Sequence, residues 1–197
     1  MARVILIHGW SVTDKGRGTI GKLAPYLEDD HEVLVLGHKW PWSKILSLLL
    51  QRRRSEEVAK ELIDVSEEGD VFVCHSNGAW VAYLAMRKGA KPSQLLLFNP
   101  ALKKDREFPA FVHSVDVFYS PNDWVVWLGK WLRRVPFSPL PWGEMGRVGY
   151  TGDDPRVVSH NLTDLGHSGV FKHLDYWGPT TNMLISLRRV QPSADNA

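Results

Sequence analysis

Three residues of this chain could together move an acyl group. Ser76 stands in Cys74-His75-Ser76-Asn77-Gly78, between a strand-like run ending at Cys74 and a helix-like stretch beginning at Gly78. A serine becomes a nucleophile when a base takes its proton, and the base needs a carboxylate to hold its tautomer. Asp123 follows a strand-like run in Ser120-Pro121-Asn122-Asp123, and His167 lies in Leu165-Gly166-His167-Ser168-Gly169. A serine in a strand-to-helix turn, with small residues two positions away, is the pattern of a nucleophile elbow. Gly78 meets that need; Cys74 replaces the usual leading glycine and is small enough for the turn. Each residue also has a plainer reading. Ser76 could simply cap the helix, and so could Asp123, for which capping and catalysis are compatible. A histidine in a glycine-flanked loop is more often a surface residue. Alone, the elbow supports either reading; the three residue types in this order favour the chemical one. His173, at the edge of an expected closing helix, and Asp116, within a strand, are poorer rivals. Asp153, Asp154 and Asp164 stay open as loop acids.

Acyl transfer also needs two N–H groups aimed at the developing oxyanion. The elbow offers that of Asn77, and the turn Ile7-His8-Gly9-Trp10 offers that of Trp10. By itself a His-Gly dipeptide is only a strand-ending turn. Gly16-Arg17-Gly18-Thr19-Ile20-Gly21 matches G-x-G-x-x-G, but a dinucleotide site needs that motif directly after a strand. Here the strand ends near His8, so the glycines read as a loop and helix entry. His160, His167 and His173 show no recognised metal spacing, and the single cysteine excludes a disulfide framework and a Cys-based zinc site. No metal and no organic cofactor is expected.

The elements that must position these residues follow from periodicity. Strands are expected over 3–8, 32–36, 71–74, 94–98, 114–119 and 156–161. Helices are expected over 19–28, 55–66, 78–87, 124–133 and 175–187. Short apolar runs alternating with helices imply a mostly parallel sheet covered on both faces. Ser76, Asp123 and His167 then all lie just past the C-terminal ends of strands, where open α/β sheets place ligands. Segments 39–54 and 136–154 break the alternation and are candidates for pocket walls or a small lid. Trp40, Trp42, Trp124 and Trp142 fall near strand ends or their loops and are the candidate pocket residues. The face made by Trp124, Trp127, Leu128 and Trp131 reads first as packed on the sheet or a neighbouring loop, and second as an acyl-binding wall.

A length of 197 residues is one domain at about 150 residues each, assigned to 1–190 with a frayed tail over 191–197. With 24 basic and 22 acidic residues the charge is too balanced to point to nucleic acid. The Arg52-Arg53-Arg54 run and the basic end of the 124–133 helix read as solvated faces, with a membrane or lipid-surface contact the lesser reading. The first strand begins almost at once with no cleavage-site pattern behind it, so a cytoplasmic protein is expected.

These residues together resemble the α/β-hydrolase superfamily, in particular its small serine hydrolases without a large cap domain. The resemblance rests on His8-Gly9, Cys74-His75-Ser76-Asn77-Gly78, Pro121-Asn122-Asp123 and Gly166-His167, and spans roughly 3–187. It implies a three-layer α/β/α sandwich with a mostly parallel six-stranded sheet ordered 2-1-3-4-5-6. It also implies a Ser76–His167–Asp123 triad and an oxyanion hole from Trp10 and Asn77. A serine, not an aspartate, at the elbow argues against dehalogenase and epoxide hydrolase chemistry. The expected activity is cleavage of a carboxylic ester of a small-molecule acyl substrate. Thioesterase, amidase and acyltransferase chemistry use the same triad, and a non-catalytic binding module is the reading from another class. Oligomeric state is not legible.

Overall fold

The computed structural model describes residues 3–10, 14–38, 50–132, 142–163 and 165–174. Six strands form one sheet: β1 (Arg3–Ile7), β2 (Glu32–Val35), β3 (Val71–His75), β4 (Gln94–Phe98), β5 (Ser114–Tyr119) and β6 (Val157–Asn161). Their spatial order is β2-β1-β3-β4-β5-β6, and every neighbouring pair is parallel. This is the order that the resemblance implies. The central strands are apolar without interruption because both faces are covered. Ile5, Ile7, Phe72, Cys74, Leu95 and Leu97 enter one core cluster, and Val4, Leu6, Val71, Val73, Leu96 and Phe98 enter the other. Neighbours along each strand therefore serve opposite layers.

The helices are α1 (Ala24–Leu27), α2 (Gln51–Val65), α3 (Asn77–Arg87), α4 (Trp124–Leu132) and α5 (Met145–Val148). Against the sequence expectation, 19–28 is divided into a 3-10 turn over Ile20–Leu23 and the single turn of α1. Pro25 explains the division, since it has no N–H to extend a helix that arrives from upstream. The helix expected to begin at Ser55 begins at Gln51, which takes Arg52, Arg53 and Arg54 onto its surface. There they pair with Glu56, Glu57 and Glu61. Within 136–154, α5 supplies a turn of helix that the sequence did not suggest. Segments 39–49 and 133–141, the expected closing helix over 175–187 and the expected tail over 191–197 lie outside the described residues. Among the described residues no helix is long and apolar enough to cross a membrane.

Candidate active site

β3 delivers Ser76 to the C-terminal edge of the sheet, and α3 leaves from it at once. Ser76 has φ 55° and ψ −119°, a backbone that an L-residue adopts only at a cost. Its side chain makes no capping hydrogen bond, so the plain helix-cap reading does not hold. The turn is wired on both sides: Ser76 N–H donates to Phe98 O, and Ser76 O accepts from the N–H groups of Ala79 and Ala101. The tight approach explains the small residues. A Cβ on Gly78 would collide with the carbonyls of Ile7 and His8, and one on Gly9 would lie 2.9 Å from Ser76 Cβ. Cys74 needs no glycine's freedom, because its side chain turns into the core between strand neighbours and is fully buried. Burial pushes its thiol well above the usual range, which makes it inert.

Asp123 and His167 meet. His167 Nδ1 lies 2.7 Å from Asp123 Oδ2. The carboxylate is fully buried, and its two oxygens do different work. Oδ1 accepts from Val126 N–H at 2.9 Å and caps α4, while Oδ2 faces His167 and accepts from Asn99 Nδ2 at 3.0 Å. The cap of α4 and the contact with His167 are made at separate atoms of Asp123. Asn99 holds φ 45° at the end of β4 and also donates to Gly146 O.

A second tether acts on the histidine's main chain. His75 Nε2 lies 3.0 Å from His167 O, which requires the proton on Nε2, since a carbonyl only accepts. His75 is buried and edge-on to Phe171. Burial, and then the neighbouring His167, push it down to about 3, so it stays neutral.

Ser76 and His167 line one cavity of about 250 Å³, together with Trp10, Ala101, Trp124, Val126 and Trp142. Its other walls carry no charged side chain. Ser76 Oγ and His167 face this space without a hydrogen bond between them, a separation common where no substrate is bound. Trp10 and Asn77 N–H make no hydrogen bond among the described residues. For Asn77 this follows from its place as the first residue of α3. His8 lies beside the Trp10 turn, its Nδ1 3.0 Å from Gly9 O and its Nε2 3.0 Å from His38 O, and a neutral ring donates to one of the two carbonyls.

Trp142 is buried in the cavity wall, whereas Trp40 and Trp42 lie outside the described residues. Trp124 lines the mouth but is 64% exposed. The expectation that its helix face packs on the sheet or a neighbouring loop is not met at Trp124, Trp127 and Leu128, which are exposed, and Val126 is the residue that turns inward. The rivals are placed elsewhere. Asp116 pairs with His160, Asp154 with Arg156, Asp153 is exposed, and Asp164 is outside the description. His173 is exposed at the end of a 3-10 turn over Gly169–Lys172, not within a helix. The G-x-G-x-x-G amides are already occupied, since Asp14 accepts from the N–H groups of Gly16 and Gly18. His75, Asn99, Gln51 and Ser55 were missed. An asparagine or histidine next to a strand end is a weak sign, and nothing in spacing names its partner.

No family model matches the chain, and no curated protein sequence does. Solved structures do match. MGS-MChE2, an α/β hydrolase from the metagenome of Mar Chica lagoon sediments in Morocco, aligns with a TM-score of 0.55 at 15% identity, over 95% of this chain and 90% of that one. A YdeN-like protein of Pectobacterium atrosepticum aligns with a TM-score of 0.53 at 14% identity, over 95% and 89%. The type II thioesterase BorB of the borrelidin biosynthetic cluster aligns with a TM-score of 0.50 at 13% identity, over 89% and 87%. At these identities the likeness is one of fold, and the fold is that of the α/β hydrolases.

Proposed function

We propose that this protein is a serine hydrolase that cleaves a carboxylic ester through an acyl-enzyme. Ser76 Oγ attacks the ester carbonyl carbon while His167 Nε2 takes its proton. With Nδ1–H held on Asp123 Oδ2, the lone pair of the neutral ring lies on Nε2, and the carboxylate stabilises the imidazolium that forms. The N–H groups of Trp10 and Asn77 receive the oxyanion, each worth roughly 2.7–4 kcal/mol. Collapse breaks the bond to the alcohol, which leaves with the proton from His167. Water then attacks the acyl carbon, His167 takes its proton, and Ser76 is released with the acid. The chemistry calls for no metal or organic cofactor.

The observation that carries this reading is the strained Ser76 sharing a cavity with a histidine that is bonded to a buried aspartate. The uncharged, tryptophan-walled cavity supports an apolar acyl group. The absent Ser76–His167 hydrogen bond is what favours a non-catalytic scaffold instead. A fluorophosphonate probe separates the two. The expected result is an adduct on Ser76, mapped by mass spectrometry and lost in both Ser76→Ala and His167→Ala. A folded protein that does not label sinks the hydrolase reading. Turnover of p-nitrophenyl esters should fall by roughly a million-fold in either variant. Matched thioester and amide substrates assign the leaving group.

A further inference from the structure

Beside the oxyanion position lies a chain of buried polar side chains that the hydrolytic steps do not use. Asn77 Oδ1 accepts from Trp142 Nε1–H at 2.7 Å and from Gln51 Nε2 at 2.6 Å. Gln51 Nε2 also donates to Ser55 Oγ at 2.9 Å, and Asn77 Nδ2 donates to the same oxygen at 3.2 Å. Gln51, Ser55 and Asn77 are fully buried, and Gln51 Oε1 has no hydrogen-bond partner among the described residues. An indole N–H can only donate, so the atom facing Trp142 must be the amide oxygen, and the group facing that oxygen from Gln51 must be its NH2. One tryptophan thus sets the polarity of the whole chain of bonds.

The tryptophan in question is a cavity wall. Trp142 packs edge-on to Trp10 with ring centroids 5.6 Å apart, and both line the space that holds Ser76 and His167. Swinging Trp142 outward would strip a buried amide oxygen of a donor, which burial makes unfavourable. The wall is also braced from behind, because Gly143 packs against the main chain of Leu102 and Lys103 with no room for a Cβ.

We infer that Asn77, held by Gln51 and Ser55, locks Trp142 as a rigid wall that limits the acyl group to a compact apolar one, short, branched or single-ringed. This deepens the proposed function and rests on it. Asn77 then acts twice: its main-chain N–H at the oxyanion and its side chain on the acyl pocket. Gln51 is a positioning residue, acting through Asn77 and not on the substrate.

The experiment compares p-nitrophenyl butyrate, octanoate and benzoate across wild type, Trp142→Phe, Trp142→Ala and Gln51→Met, with fluorophosphonate labelling of Ser76 run on each protein. Wild type is expected to favour butyrate and benzoate. Trp142→Ala should raise the octanoate-to-butyrate ratio of kcat/KM by roughly tenfold or more. Trp142→Phe, which keeps a ring and loses the N–H, and Gln51→Met, which keeps the length and loses the donor, should move the ratio the same way by less, mainly through KM. If Gln51→Met does not fold, Trp142→Phe decides the matter. An unchanged ratio in folded variants whose Ser76 still labels overturns the inference and leaves the hydrolase reading standing. Failure of wild type to label overturns both.

Discussion

Ser76 is held in a conformation that costs about 1–3 kcal/mol, and the residues around it hold it there. His75 is the least conspicuous of them. It precedes Ser76 in sequence, yet its bond goes to the main chain of His167, which joins the strand-end turn and the histidine loop. His75→Leu should lower kcat by about a hundredfold with KM little changed, the effect of a small displacement of a catalytic group. His75→Gln, which offers an amide N–H, should recover most of the rate; steady-state kinetics on both variants is the check. Asn99 is a second such residue. Asn99→Gly keeps the left-handed backbone available and removes only the amide donor. Loss of a hydrogen bond to a charged group is worth about 1.5–3 kcal/mol, so kcat should fall at least tenfold. A wild-type rate in this variant would show that Asp123 needs no help from Asn99.

At the scale of elements, α3 starts directly after Ser76, which leaves the Asn77 N–H without a hydrogen bond among the described residues. Its dipole adds to the attraction for negative charge there. This works only if α3 can approach β1, and Gly78 permits that contact. Gly78→Ala should destabilise the fold by about 1–3 kcal/mol despite alanine's better helix propensity, because the new Cβ meets main-chain carbonyls that cannot yield easily. Urea unfolding measures this, and fluorophosphonate labelling should fail in parallel. α4 depends on Asp123 in a way that separates its two duties. Asparagine caps nearly as well as aspartate, so Asp123→Asn should keep the cap while kcat drops roughly 10⁴-fold, its NH2 then facing the Asn99 NH2 where Oδ2 accepted before. Asp123→Ala should lose about 1 kcal/mol of stability as well. Equal stability of the two variants would remove the cap from the account.

Across the whole molecule, three buried histidines make stability depend on pH. His8 and His38 stack with ring centroids 3.6 Å apart beside the turn that follows β1, and His75 precedes Ser76 at the end of β3. Burial first, then neighbouring positive groups, push His38 and His75 from 6.5 down to about 3, and burial lowers His8. The unfolded chain therefore binds protons at these sites before the folded one does. Stability is intact above pH 6.5 and is lost as pH falls from there toward 3. Each such histidine adds a slope of up to about 1.4 kcal/mol per pH unit in that window. Urea midpoints at pH 7, 6 and 5 should fall in order. His38→Phe, which keeps a ring on His8 and removes one titrating site, should flatten the slope; an equally steep slope would assign the acid sensitivity elsewhere.

Chain order and local residue type carried the strand sequence and the strand-to-helix turn at Ser76, because alternation and turn chemistry are local properties. Cys74 looked like a departure only from sequence; in the fold its side chain faces the core, where no glycine is required. What sequence could not carry is partnership across the chain. Asn99 on Asp123, His75 on His167, and Gln51 and Trp142 on Asn77 join residues 24 to 92 positions apart. The exposure of Trp124 and Trp127 belongs with these, since periodicity marks a shared helix face but not whether anything covers it. Sequence determined which residues could react and in what order the strands would present them. Tertiary structure decided which polar atoms meet once water is excluded, because a buried donor must find an acceptor wherever the sheet has brought one.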